Sequence, residues 1–156
     1  MKIGFTGTQS GMTEWQKNSL RETLEYLKGT EFVHDDSPGA SQEANEIAFD
    51  YGIRIFTIFP PLNGKKRAWC FNPSHSRMDS QWHAIEHKGI QVQVRWMPMD
   101  DYLKRNKHIV DNVDHMISAP KEHQHSLKSG TWSTIRYIWK IKKSHINIPP
   151  VDRSEE

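Results

Sequence analysis

Cysteine is nearly absent. Cys70 stands alone, so no internal disulfide can brace the fold, and a single unpaired thiol suits a reducing compartment. Long apolar runs are absent too: nothing approaches the roughly 18 residues of a membrane-spanning helix, and Met1-Lys2 leads straight into strand-like sequence rather than a signal-peptide core. The expectation is a cytoplasmic protein with no membrane partner. Neither sign of charge dominates. With 21 basic against 19 acidic residues the net charge is +2, too balanced for a protein whose main task is coating nucleic acid. Apolar residues are scarce, at 35% with a mean hydropathy of −0.78, but six Trp and six Phe supply bulk. These features describe a small aromatic core under a polar surface, completed by contacts between copies, hence a homo-oligomer. A length of 156 residues suits one domain.

What is present is an alternation of strands and helices. Lys2 to Thr6 reads as a strand, Gly7 to Met12 as a glycine loop, and Thr13 with Gln16 as a capping box opening a helix whose apolar face is Trp15, Leu20, Leu24 and Leu27. Glu31 to His34 is a second strand, followed by the turn-forming run Asp35 to Ala40. A helix from Ser41 to Tyr51 stops at Gly52, and Ile53 to Phe59 is dense enough in β-branched and aromatic residues for a strand buried on both faces. Three strands with two intervening helices imply right-handed crossovers and a parallel sheet. The expected fold is α/β: a single Rossmann-like three-layer domain over residues 1–150, with a mostly parallel sheet of about five strands and a fraying tail at 151–156.

Residues 63–98 read as a variable insert or lid. Lys65, Lys66 and Arg67 form a basic cluster, and Trp69, Trp82 and Trp96 would suit either a stacking lid over a base or aromatic core. Cys70, His75, His83 and His87 invite a metal reading, with His83 and His87 one helical turn apart, but the other spacings are irregular and the expectation is no metal and no cofactor. Ile90 to Trp96 alternates as a strand with one wet face. Asp100 to Asn112 reads as a helix carrying Leu103, Ile109 and Val110 inward, and residues 114–120 as a strand ended by Pro120.

Ser129-Gly130-Thr131-Trp132-Ser133-Thr134 follows that strand and opens the last helix, which runs from Thr131 to Lys143 before a final strand at 145–148. In a parallel sheet the gap after such a strand is where ligands bind, with the next helix pointing its N–H groups and positive dipole end into it. Gly130 allows close backbone approach, and the hydroxyls can donate to phosphate or simply cap the helix. The loop Gly7-Thr8-Gln9-Ser10-Gly11 is a second element of this kind, although it matches neither the dinucleotide fingerprint nor the Walker loop, and a tight turn without a ligand fits it equally.

The pieces Ile3-Gly4-Phe5-Thr6-Gly7-Thr8, His34-x-Asp36-x-x-Gly39-Ala40, Arg105-Asn106-x-x-Ile109-Val110-Asp111 and Ser129-Gly130-Thr131-Trp132-x-Thr134-x-Arg136-Tyr137 resemble, in this order, small proteins of the SLOG superfamily. That group of Rossmann-like nucleotide-binding domains includes the DNA-processing DprA proteins and the LOG phosphoribohydrolases. The resemblance spans nearly the whole chain outside residues 70–98. It implies a nucleotide or ADP-ribose-like ligand between the first glycine loop and the Gly130 loop, contacted by Gly7, Thr8, Gln9, Ser10, Asp36, Gly39, Arg105, Asn106, Ser129, Gly130, Thr131, Trp132 and Thr134. It also implies either phosphoribohydrolase chemistry or the sensing of nucleotide signals in defence against phages.

Two departures bear on mechanism. Aligning the LOG glycine-threonine pair with Ser133-Thr134 puts Tyr137 where those enzymes carry a catalytic glutamate, and Ser41 stands where relatives carry an acid. Cleaving an N-glycosidic bond needs a carboxylate for the developing oxocarbenium ion. Asp36 is the candidate, with Glu43 and Glu46 at helical spacing as helpers, but Asp36 could equally bind ribose hydroxyls or cap a turn. The leading expectation is a binder of a nucleotide-derived molecule, as a sensor or as a phage-type sponge that sequesters an immune signal. The alternative is a hydrolase of that molecule's N-glycosidic bond. Single-stranded DNA binding would rest on Lys140, Lys142 and Lys143 beside Trp139, which read more simply as the cationic end of a helix, so no nucleic-acid partner is expected.

Overall fold

Alternation along the first strand sorts its side chains onto two faces. Ile3 and Phe5 join Leu20, Leu24, Phe32, Ala44 and Ile117 in one buried cluster, while Gly4 faces Met116 and Val113 in a second cluster with Val33, Ile109, Val110 and Ile138. A sheet with apolar residues on both faces must be covered on both, and the helices do this in pairs. The computed structural model describes residues 1–71, 79–124 and 126–151. In order these form β1 (Lys2–Gly7), α1 (Glu14–Leu27), β2 (Glu31–His34), α2 (Ala40–Tyr51), β3 (Ile55–Ile58), a 3-10 turn (Gly64–Lys66), β4 (His83–His87), β5 (Ile90–Trp96), α3 (Tyr102–Asp111), β6 (His115–Ala119), α4 (Gly130–Ile141) and β7 (His145–Asn147). Helix α1 packs beside α2, and α3 beside α4.

The strand order is β4-β5-β3-β2-β1-β6-β7, parallel throughout except that β4 runs antiparallel to β5. This is a Rossmann-like three-layer α/β fold. The sheet has seven strands rather than about five: the 83–96 stretch folds into a hairpin whose strand β4 extends the sheet edge, and the strand expected at 145–148 joins the same sheet as β7 beyond β6. His83 and His87 therefore lie on a strand, not a helix; His83 Nε2 sits 3.1 Å from Asp79 and His87 Nε2 3.1 Å from Glu46. His75 lies outside the described residues. Trp96 is wholly buried in the core, whereas Trp69 stacks on the Arg67 guanidinium and Trp82 on that of Arg95.

The capping box forms as expected, with Gln16 N–H donating to Thr13 Oγ1 and Gln16 Oε1 accepting from Thr13 N–H. The inward face of α1 differs in its first turn. Trp15 is exposed and Gln16 is buried, its Nε2 donating to the carbonyls of Pro120 (2.8 Å) and Ile148 (3.1 Å). Those carbonyls lie just past β6 and β7 and need a donor that no apolar side chain could supply. In α3, Ile109 and Val110 are buried as expected, but Leu103 is exposed and the polar Arg105 and Asn106 take the inward positions.

At the β6–β7 edge, Ser118 Oγ donates to Asn147 Oδ1 and stands 2.7 Å from His145 Nε2, while His115 Nδ1 lies 2.6 Å from Ser144 Oγ. Burial, with the nearby His115 adding to it, pushes His145 down to about 4 from the usual 6.5, and burial lowers His115 as well. In the unfolded chain His145 protonates at its ordinary value, so the neutral form's contribution is complete above pH 6.5, erodes as pH falls, and is gone below about 4. The urea midpoint should therefore fall on acidification from pH 7 to 4.5, and His145→Gln should flatten that slope. Equal slopes for the two proteins would remove His145 as the cause.

Candidate functional site

In an open parallel sheet the connections after neighbouring strands diverge where the strand order reverses, and a crevice opens there. Here the reversal lies between β1 and β6, since β2, β3 and β5 are added on one side of β1 and β6 and β7 on the other. A cavity of about 370 Å³ occupies this position. Its floor is the end of β1 and the following loop, Thr6 to Gln9. One wall is Asp35 and Ser37 after β2, and the other is Glu122 and Lys128 with the start of α4, Ser129 to Thr131. Tyr102, from the first turn of α3, closes one side.

Local chemistry explains the shape of each wall. Ser129 Oγ accepts the Trp132 N–H at 3.3 Å and its carbonyl accepts Ser133 N–H, which leaves Gly130 and Thr131 as the end donors of α4. A side chain at 130 would run into the Tyr102 hydroxyl, so glycine there is what lets the Tyr102 ring lie over the start of α4. Thr8 Oγ1 and Ser10 Oγ lie 2.8 Å apart and hold the β1 loop in a tight turn. Gly39, at φ 82°, sits directly against the Gln9 carbonyl, and the adjacent Ala40 N–H donates to Thr8 O at 2.9 Å. Gly39 thus fastens the loop rather than lining the cavity.

Neighbouring aspartates part company at the end of β2. Asp35 Oδ1 accepts Ser37 N–H at 3.1 Å and Ser41 Oγ–H at 2.9 Å, an Asx turn that keeps its carboxylate at the cleft wall. Asp36 adopts the left-handed conformation, φ 57°, which sends its side chain inward to a fully buried ion pair with Arg67 Nε at 2.8 Å. Its other oxygen accepts Cys70 N–H at 3.0 Å, and its own N–H donates to His34 Nδ1. The same burial, with the Asp36 charge added, pushes the Cys70 thiol far up, so Cys70 stays protonated. Glu43 accepts Met12 N–H at 2.7 Å and pairs with Lys17, and Glu46 pairs with His87 and Lys88. All three carboxylates singled out from the sequence are engaged in internal contacts.

Of the other candidates, Gly7, Thr8, Gln9, Ser129, Gly130 and Thr131 come together around the cavity. Arg105 lies next to it, its Nη2 3.5 Å from Asp35 and its guanidinium over the Tyr102 ring. Trp132 is buried behind the helix start with its ring against Trp139, Thr134 Oγ1 donates to Gly130 O, and Asn106 and Thr134 face a separate small hollow between α3 and α4. Sequence reasoning passed over Asp35, Ser37, Tyr102, Glu122 and Lys128. Ser37 and Lys128 adjoin positions already flagged; nothing in the sequence pointed to Tyr102.

No protein-family model matches the sequence, and no curated protein matches it. Among solved structures the chain is similar to the X-ray structure of TM1055, a Northeast Structural Genomics Consortium target, at a TM-score of 0.58 and 15% identity over 92% of this chain and 71% of that one. At that identity the likeness concerns the fold alone, and it agrees with the Rossmann-like α/β class.

Removing one partner of a buried ion pair strands the other charge in a medium that cannot solvate it. Arg67→Met should destabilise the protein by about 3–5 kcal/mol, with the double variant Asp36→Asn/Arg67→Met recovering part of the loss. Chemical denaturation checks both, and strict additivity would show that the pair is not the reason.

Proposed function

We propose that the protein binds a nucleotide-derived small molecule, of the ADP-ribose, NAD-derived or cyclic-nucleotide type, in the cleft between β1 and β6, as a sensor of that molecule or a protein that sequesters it. The observation carrying this reading is the convergence on one cavity of the β1 glycine loop, the start of α4 and Lys128. A helix N-terminus, hydroxyls and one lysine suit a phosphate, while the Asp35 carboxylate suits ribose hydroxyls. The motif order shared with SLOG proteins supports the same ligand class. Retention rather than turnover is favoured by the burial of Asp36 in its ion pair with Arg67, with Glu43 and Glu46 held by partners away from the cleft.

The test is to incubate the protein with NAD, ADP-ribose, cyclic ADP-ribose, cyclic dinucleotides and nucleoside monophosphates, remove free ligand, denature, and identify what is released by mass spectrometry. One of these should be recovered intact from the protein fraction. Lys128→Ala should weaken its binding about tenfold at low salt, the worth of one charge-assisted contact. A protein fraction free of all of them would end the proposal.

One observation favours the hydrolase alternative. Glu122 stands on the cleft wall with its Oε2 buried and without a hydrogen-bond partner among the described residues. Under that reading Glu122→Gln retains ligand affinity while release of free base, followed by chromatography, drops at least a hundredfold. No free base from the parent protein would exclude it.

A further inference from the structure

A second hollow of about 300 Å³ adjoins the main cleft, and the two share Gln9, Ser37 and Tyr102. It is walled by the segment after β3, where Pro61 and Leu62 present apolar surface and Asn63 and Lys66 present donors, and by the α3 start. Pro61 pairs with Asp100 in an isolated parallel bridge, so the two segments form one joined rim.

The polar inventory of this hollow is lopsided. Its two carboxylates are already occupied: Asp101 accepts Lys104 N–H as the α3 cap, and Asp100 accepts Asp101 N–H and faces His108. Asn63 Oδ1 is taken by Lys65 N–H, which leaves its amide N–H₂ as a donor. Arg105 is only 4% exposed; its Nη2 makes a long contact to Asp35, and its Nε has no partner among the described residues. Its guanidinium also lies over the Tyr102 ring, so the cation and the ring form one wall of the hollow, with Lys66 and the Asn63 amide as the donors on the opposite rim. The hollow therefore offers spare donors beside an aromatic ring, a proline and a leucine. That combination complements a flat, acceptor-rich ring and not a second bare phosphate, for which the apolar wall and the two aspartates are unsuited.

Resting on the reading of the main cleft as a phosphate and ribose site, we propose that this second hollow is the nucleobase subsite, so that the ligand lies across Tyr102 with its phosphate at Gly130 and its base between Leu62 and Arg105. Base identity is then read by the segment 61–66, not by the glycine loops.

Isothermal titration with AMP and with ribose 5-phosphate, which has the same phosphate and sugar but no base, separates the two subsites. The parent protein should bind AMP at least tenfold more tightly than ribose 5-phosphate. Leu62→Asp, at a position 60% exposed and safe for folding, should weaken AMP at least fivefold and leave ribose 5-phosphate unchanged, while Lys128→Ala should weaken both by the same factor. Equal affinities for the two ligands, or an AMP affinity indifferent to Leu62→Asp, would overturn the base subsite and leave the phosphate site standing. Failure of both ligands to bind would overturn the phosphate site and the base subsite together.

Discussion

The parallel pairing of β1 with β6, in register from Ile3 with His115 to Gly7 with Ala119, is the constraint from which the rest of the molecule follows. It joins the first strand of the chain to a strand more than a hundred residues later and makes β1 the place where the sheet changes its direction of growth. Two connections that would otherwise run side by side are driven apart, and the cleft is the space between them. The pairing extends past the strands, with Thr8 N–H donating to Ala119 O, so the glycine loop leaves the sheet in a fixed direction. The cleft-lining groups of the β1 loop thus owe their direction to this backbone bond together with the Thr8–Ser10 side-chain contact.

Polar burial is concentrated at this end of the sheet. His34, Asp35, Asp36, Ser37, Ser41 and Asn45 are all buried and largely bonded to one another: His34 Nε2 meets Asn45 Oδ1 at 2.8 Å while its Nδ1 receives Asp36 N–H, and of their side-chain atoms Asn45 Nδ2 is left without a partner among the described residues. Such a network is stable only when nearly complete, because each orphaned member forfeits its hydration without replacement. Its effect is to lock the β2–α2 turn, giving two consecutive aspartates opposite destinations, one at the cleft and one in the interior.

The elements were readable from the sequence because periodicity and punctuation agree there. Thr13 with Gln16, Gly52, Pro120 and Ser129 each mark a boundary by a chemistry that operates locally, and the observed helices begin and end within a residue or two of those marks. The 83–96 hairpin was half readable: the alternation of Ile90 to Trp96 announced a strand, whereas β4 carries three charged or imidazole side chains in five residues and gains its order from its partner. Side-chain direction was the least accessible quantity. Whether Asp35 or Asp36 faces the cleft depends on a left-handed backbone at Asp36, and whether Gln16 or Trp15 faces inward depends on two distant carbonyls. Neither condition is local, so neither leaves a mark in the neighbouring residues.

The bond from Gln16 to the carbonyls of Pro120 and Ile148, together with that from Thr13 to Pro150, has a bearing on how the protein comes into being. A chain made from its amino end on a ribosome produces β1 and α1 before the segments that hold them, since β1 is an interior strand and the start of α1 is anchored at Pro120, Ile148 and Pro150. Until residues 115–119 emerge, β1 has one edge unpaired, and until 148–150 emerge, the amino end of α1 has no seat. The nascent chain therefore carries an open central strand edge until residues 115–119 have been made, and the sheet closes around β1 only after that.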